Sequence, residues 1–237
     1  MSWAHSLAQV REAQKLRHAV FAQEMGARLP TVVPGHDIDR FDEYCEHLLA
    51  RDNASGQVIG TYRLLTPAQA QRAGGTYSDG EFDLTPLDVL RPRMVELGRS
   101  CVHPAHRNGA VILALWGALA RFMVTNRLDT MVGSASIPAG CVADALVVAG
   151  IWNRVRQSSL GPAGLQVAPR LPFLLPAGPS AGTLDMPPPP LIKAYLRLGA
   201  VVLGPPAWDP VFRTADLPLL MRVADLPARL SQGAQLG

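Results

Sequence analysis

The chain has 237 residues, of which 48% are hydrophobic, and it carries 22 Lys plus Arg against 19 Asp plus Glu, a net charge of +3. That composition can fill a sizeable core and excludes global disorder, and so small a positive charge without basic–aromatic clusters excludes a dedicated DNA or RNA binder. The longest apolar run, Val111–Ala120, is about half the length a bilayer crossing needs. The first residues lack the basic and apolar regions of a secretory signal. The three scattered cysteines, Cys45, Cys101 and Cys141, show neither a disulfide framework nor zinc spacing, so a reducing cytoplasm is the expected compartment.

Residues 6–26 read as a helix, with Val10, Ala13, Leu16 and Val20 at helical spacing and Phe21 beside them. Arg11, Lys15 and His18 fall on another face, a solvated surface or a docking face for an acidic partner. Residues 29–42 form a loop rich in Pro, Gly and Asp. Residues 47–52 and 57–65 are strands around the turn signal Asn53-Ala-Ser-Gly56, which makes an antiparallel hairpin. A loop follows from Gly74-Gly75, and residues 82–90 are expected to hold a short helix. Residues 94–102 are a third strand, broken by Pro104, and Asn108-Gly109 leads into a helix over 110–126 whose stripe is Ile112, Trp116, Leu119 and Met123. A strand over 128–135, a helix over 142–157, a Pro-rich connector over 161–190, a helix over 191–198 stopped by Gly199 and a strand over 201–203 complete the order. There is no internal repeat. The sum is one α/β domain with a mixed sheet.

The unit most suggestive of chemistry is strand, turn and helix. Glu96 sits on the strand, and His103-Pro-Ala-His-Arg-Asn-Gly109 is the turn. A helix N-terminus offers free N–H groups to a phosphate, and Arg107 with the small Gly109 and Ala110 would let one approach; a tight Gly turn is also common for structural reasons alone. Cys101 with His103 has the look of a nucleophile and base, but a lone cysteine in a buried strand is usually inert. His36-Asp-Ile-Asp39 has no partner motif that would complete a metal site.

In order along nearly the whole chain stand the stretches LRHAVFAQEMGA (16–27), HDIDRFDEYCEHLL (36–49), GTYRLL (60–65), YSDGEFDL (77–84), ELGRSCVHPAHRNGAVILALWGALARF (96–122), SASIP (134–138), PPLIKAYLRLGAVV (189–202) and PAWDPVFRTAD (206–216). Through them the sequence resembles the ornithine lipid biosynthesis N-acyltransferases of the GNAT superfamily and, more distantly, the acyl-homoserine lactone synthases. The resemblance implies a GNAT fold: a mixed, largely antiparallel central sheet flanked by helices. It also implies transfer of a 3-hydroxyacyl chain from acyl carrier protein to the α-amine of L-ornithine, giving a lyso-ornithine lipid. No cofactor is implied beyond the phosphopantetheine thioester of the donor, and no metal. The implied setting is cytoplasmic, with peripheral contact at the inner membrane surface through the lipid product. The alternatives are an N-acyl amino acid synthase for another amino acid, an acyl-homoserine lactone synthase, and a non-catalytic acyl-carrier or lipid-binding module. Relatives usually begin with a strand before the first helix, for which only Met1–Leu7 remain here.

An attacking amine must lose a proton, and the resemblance points to Glu96 as its base; the rival role for Glu96 is to hold Arg99 or Arg63. Backbone N–H groups near Gly98–Cys101 are expected to meet the oxyanion. Tyr195 stands where many GNAT enzymes protonate the leaving thiolate. Arg63 or Arg99 suits the substrate carboxylate, and Asp37, Asp39 and Asp42 suit a cationic side chain. Arg107, Asn108, Gly109 and Ala110 form the expected phosphopantetheine loop. That loop departs from the superfamily's Arg-x-x-Gly-x-Gly/Ala at both small positions, which favours a carrier-protein thioester over free coenzyme A.

Overall fold

The computed structural model describes residues 1–141, 144–176 and 186–227. The backbone is an eight-stranded sheet in the order β1-β2-β3-β5-β6-β10-β8, with β9 also pairing β10. The strands are β1 (Ser2–Trp3), β2 (Glu46–Arg51), β3 (Val58–Leu65), β5 (Met94–Val102), β6 (Thr130–Pro138), β8 (Val201–Val202), β9 (Ala207–Asp209) and β10 (Thr214–Arg222). A separate small ladder joins β4 (Phe82–Asp83) to β7 (Ala168–Pro169). The helices are α1 (Leu7–His18), α2 (Pro67–Ala73), α3 (Ser78–Glu81), α4 (Ala110–Thr125), α5 (Asp144–Ser158) and α6 (Pro190–Arg197).

The hairpin β2–β3 and the strand β5 fall where the sequence pattern puts them. The first strand exists, but it is two residues long and pairs only with Leu48 and Leu49. The helix over 6–26 divides: α1 ends at His18 and Ala19–Glu24 continues with wider turns, Met25 N–H reaching the Val20 carbonyl. The short helix expected within 82–90 is a single 3-10 turn at Thr85–Leu87, preceded by β4, with Pro86 in its first turn and Leu84 and Leu87 buried. In the Pro-rich connector, the described residues carry a short turn at Ala163–Leu165 and β7; residues 177–185 lie outside the described residues, as do the first two of the helix expected from 142.

Two helical layers cover the sheet. Leu115, Trp116, Leu119 and Met123 of α4 pack on Leu48, Tyr62, Leu64, Val95 and Met131. On the other half, Val148, Ile151 and Val155 of α5 and Ile192 of α6 pack on Ala135, Ile137, Leu217 and Leu219.

What positions the site is the way the sheet opens. Neighbouring pairs are antiparallel except β5 and β6, which run parallel and pair only from Met94–Thr130 to Glu96–Val132. Beyond that point β5 stays with β3 and β6 stays with β10, so the two strands diverge. Gly133 stands at the fork, where a Cβ would run into the Leu97 carbonyl. On β5 the register with β3 slips by one residue between Thr61–Cys101 and Arg63–Gly98. The extra residue makes a bulge at Arg99, whose φ is +52°; a bulge bends its strand and increases its twist.

Candidate active site

The fork opens into a cavity of about 670 Å³. Of the residues singled out in the sequence, Arg63, Glu96, Arg99, Arg107, Gly109 and Tyr195 line it together. Asp37, Asp39, Asp42, Asn108 and Ala110 are not among its lining.

Glu96 is the last residue of β5 to pair with β6. Its carboxylate is buried and accepts the backbone N–H of Tyr77 at 2.8 Å and of Ser78 at 2.7 Å. Burial pushes its pKa above the ordinary carboxylate value, outweighing those hydrogen bonds and the nearby Arg63, which favour the charged form. A carboxylate fixed in this way, with a raised proton affinity and a cavity in front of it, is suited to accept a proton. It forms no salt bridge with Arg63 or Arg99, which are engaged elsewhere.

Those arginines belong to a network that closes on the aspartate loop. Arg17, fully buried, donates from Nε to Asp37 at 2.8 Å and from Nη1 and Nη2 to Asp42 at 3.0 and 2.8 Å. Arg63 Nη1 donates to Asp39 at 2.6 Å and Asp42 at 3.0 Å. Arg99 Nη2 donates to Asp39 at 2.9 Å, and its Nε lies 3.2 Å from Asp37. Burial alone would raise Asp39 and Asp42, but Arg17, Arg63 and Arg99 hold them below the usual carboxylate range. Three carboxylates thus face three guanidiniums. The loop that the sequence offers for a cationic side chain is occupied by the protein's own cations, two of which, Arg63 and Arg99, line the cavity. Arg99 is further clamped between the rings of Tyr77 and Phe212, at 4.7 and 4.6 Å. Arg17 went unremarked in the sequence: helical periodicity places it beside Leu16 and the buried Ala13 but says nothing of its partners.

Lining the same cavity, Tyr195, from α6, shares a hydrogen bond of 2.5 Å with the hydroxyl of Tyr62 on β3. Burial raises the pKa of both phenols, so each is a neutral O–H donor near pH 7. Ser100 Oγ and Trp116 Nε1, also lining the cavity, are buried beside the Tyr195 hydroxyl but make no hydrogen bond of normal geometry.

At the mouth, α4 starts at Gly109, whose φ of +89° suits glycine and whose side-chain cap is absent. Asn108 Oδ1 accepts the Ala110 N–H, which leaves the next amides of the turn facing outward. Arg107 makes a two-pronged pair with Glu24 at 2.5 and 2.7 Å. Cys101 lines the cavity, but burial pushes its thiol up to about 12, so it offers no thiolate near neutral pH.

An acidic group that no sequence motif marks stands beside the cavity, with Asp209 and Asp216 in its lining. Glu81, Asp209 and Asp216 present carboxylate oxygens within 4.8 Å of one another. They come from α3, β9 and β10, which only the sheet brings together.

Among the described residues no helix is long and apolar enough to cross a membrane. Residues 16–117 match the acetyltransferase (GNAT) domain. The chain is similar to the L-ornithine N(alpha)-acyltransferase of Rhodobacter capsulatus, 37% identical over 92% of this chain and 87% of that one. It is similar to its Brucella abortus counterpart too, 35% identical over 95% and 85%. Among solved structures, the coenzyme A-dependent acyl-homoserine lactone synthase BjaI superposes with a TM-score of 0.54 at 16% identity, covering 97% of this chain and 82% of its own. The acyl-homoserine lactone synthase LasI superposes at 0.52 and 18% identity, over 92% and 85%; these two share the fold. A forked GNAT sheet, a buried carboxylate at the fork and relatives at 35–37% identity over most of both chains lead to one assignment: the chain is an acyltransferase and belongs to the L-ornithine N(alpha)-acyltransferase family.

Proposed function

We propose that the chain transfers a 3-hydroxyacyl group from the phosphopantetheine thioester of acyl carrier protein to the α-amine of L-ornithine, giving a lyso-ornithine lipid. The observation that carries this reading is Glu96, buried at the fork and facing the same cavity as the Tyr62–Tyr195 pair. The pantetheine arm enters at the N-terminal turn of α4, along Gly109, and lays its thioester in the fork. Arg63 and Arg99 hold the amino-acid carboxylate. Glu96 takes a proton from the α-ammonium, directly or through water, which frees the lone pair. The amine nitrogen then forms a bond to the thioester carbon, and the negative charge moves to the carbonyl oxygen, met by backbone amides at the Arg99–Ser100 bulge. Collapse breaks the C–S bond and forms the amide. Tyr195 gives its proton to the leaving thiolate and regains one through Tyr62, and the nitrogen's second proton leaves to solvent.

The exposed Lys15 and the half-buried Arg11 and His18 on α1 support an acidic carrier as donor. The wider turn after α1 brings Val20 and Phe21 to the cavity, so that helix leads to the mouth. The test is turnover of purified chain with L-ornithine and either 3-hydroxyacyl carrier protein or the matched coenzyme A thioester, at low and high salt, with the product identified by mass spectrometry. N-acyl-ornithine, formed faster from the carrier protein and with a rate that falls with salt, is expected. A product acylated on another amino acid, or equal, salt-insensitive use of both donors, overturns the corresponding half of the proposal.

A further inference from the structure

An ornithine-specific enzyme must hold a second ammonium beyond the one that reacts. Placing that charge in a cavity without a partner costs several kcal/mol, yet Asp37, Asp39 and Asp42 are matched one for one by arginines. Taking the proposed function as its starting point, we infer that Glu81, Asp209 and Asp216 are the binding site for the side-chain ammonium of the amino-acid substrate and so set specificity for a basic amino acid.

Four observations carry this. First, the three carboxylates have no counter-ion: among the described residues none of them enters a salt bridge. Second, acceptors stand idle there. Asp216, 4% exposed, has no hydrogen bond of normal geometry at Oδ1, its contacts with Ser136, Thr214 and Glu81 being loose ones, and Glu81 has none at Oε1. Third, a polar side chain outside the cluster lacks a hydrogen bond of normal geometry and lies beside Asp216: Thr214 Oγ1, in a residue 2% exposed, with Thr214, Asp209 and Asp216 all lining the cavity. Buried polar atoms of this kind normally have partners, and an ammonium brings three donors for them.

Fourth, the spacing fits. Tyr77 joins the two ends of the cavity: its backbone N–H meets Glu96 at 2.8 Å and its hydroxyl donates to Asp209 at 3.0 Å. Glu96 and the acidic group are therefore one tyrosine length apart, comparable with the extended separation of the two amines of ornithine. The cluster suits an ammonium better than a divalent cation. Asp209 spends Oδ1 on the backbone N–H groups of Val211 and Phe212 and Oδ2 on Tyr77, and Glu81 Oε2 accepts from Ser134, which leaves too few free oxygens for a six-ligand ion. Without a ligand the group keeps a proton: burial, then Asp216, raises Glu81 to about 9, and burial raises Asp216 as well.

The experiment compares kcat/KM for L-ornithine and for L-norvaline, which lacks only the terminal amine, in the wild type, Asp216→Asn and Glu81→Gln. The ornithine-to-norvaline ratio should fall roughly ten- to a hundredfold in each variant, the range of a hydrogen bond to a charged group, while norvaline turnover holds. A wild type that acylates neither amino acid refutes the proposed function itself. A wild type with no preference, or a preference that survives both substitutions, refutes the subsite alone. A preference restored to the variants, or abolished in the wild type, by adding or chelating magnesium assigns the carboxylates to a metal and also refutes it. Should both variants fail to fold, calorimetry on the wild type near pH 7.5 in buffers of different ionisation enthalpy decides. The groups facing the cluster are Tyr77 and, across its ring, Arg99. Ornithine should release more protons on binding than norvaline, because its ammonium displaces the proton held by Glu81 and Asp216; equal release overturns the inference.

Discussion

Replacing Arg17 with methionine tests whether the arginine–aspartate network is the frame of the site. The guanidinium is fully buried and donates to Asp37 and Asp42 at 2.8–3.0 Å, with a further bond to the Asp37 carbonyl. Methionine fills most of the volume and removes the charge, so two buried carboxylates lose their main partner. Removing one member of a buried pair typically costs about 3–5 kcal/mol. Arg63 still reaches Asp42 at 3.0 Å and Arg99 lies 3.2 Å from Asp37, which places the loss near the lower end. For a chain of this size about 3 kcal/mol lowers Tm by roughly 6–12 °C. The loss should also depend on pH. Asp42 has a folded pKa below its unfolded value, so its contribution is present above the ordinary value of 3.8 and is lost as pH falls through the depressed folded pKa. Without Arg17 the depression shrinks, so the gap between variant and wild type should be full at pH 7 and narrow toward pH 3. Adding Asp42→Asn should recover part of it at pH 7. Thermal unfolding followed by circular dichroism from pH 3 to 8 measures all of this. A variant within about 1 kcal/mol of wild type at pH 7, or a gap that widens in acid, would refute the reasoning.

Glu96→Gln should lower kcat/KM by about two to four powers of ten and remove the acid limb of the pH–rate profile; a retained acid limb assigns the base elsewhere. The same change should lower stability by about 1–3 kcal/mol, because both oxygens accept backbone N–H groups and an amide can satisfy only one of them; an unchanged Tm would argue against that geometry. Glu24→Ala frees Arg107 for the anionic donor, so KM for the acyl donor should fall a few-fold while stability moves by less than about 1 kcal/mol, as for other exposed pairs. Glu81 has a folded pKa raised to about 9 from 4.5, so its contribution is present below 4.5 and is lost as pH rises toward 9. Glu81→Gln, which mimics the protonated form, should therefore match wild type near pH 5 and melt higher near pH 9; the reverse trend in Tm would refute the raised pKa.

Much of the fold was legible because its elements carry their own signals. β3 and β5 are apolar or β-branched runs bounded by turns, and α4 carries a stripe that does face the sheet, with Trp116, Leu119 and Met123 buried. β10 carried the opposite signal. It lies between β6 on one side and β8 and β9 on the other, yet it contains Pro218, and a proline argues against an interior strand. The register shows why this one is tolerated: β9 pairs with Thr214–Asp216 and β8 with Leu219–Leu220, so Pro218 falls in the gap between them, where no ladder bond asks for its missing N–H. Its carbonyl is still used, accepting from Leu203 at 2.8 Å. The weak first strand and the split first helix follow from the same kind of local choice, which composition does not reveal.

The site was legible in its parts and not in its pairing. Glu96, Arg63, Arg99 and Tyr195 could be named one by one, because the resemblance singles out Glu96 and Tyr195 and a substrate carboxylate asks for arginine, and all four line the cavity. Which acids face which cations is another matter, since a sequence shows charges but not their neighbours. Asp37, Asp39 and Asp42 look available as a cluster in one loop; they are taken because α1, β3 and β5 each turn one arginine toward that loop. Glu81, Asp209 and Asp216 look unrelated because they lie on three distant segments, and they become a group only through the pairing of β10 with β9 and the bond from Ser134 of β6 to Glu81. Charge balance separates their roles. A matched set of buried charges gains little from a further ion and mainly fixes geometry. An unmatched set, two of whose members line a cavity, gains from a cation that reaches it. The fork between β5 and β6 opens the cavity that Glu96, Asp209 and Asp216 share, so in the proposed binding mode the open sheet that presents Glu96 to the reacting amine also presents the second acidic group to the other end of the same substrate.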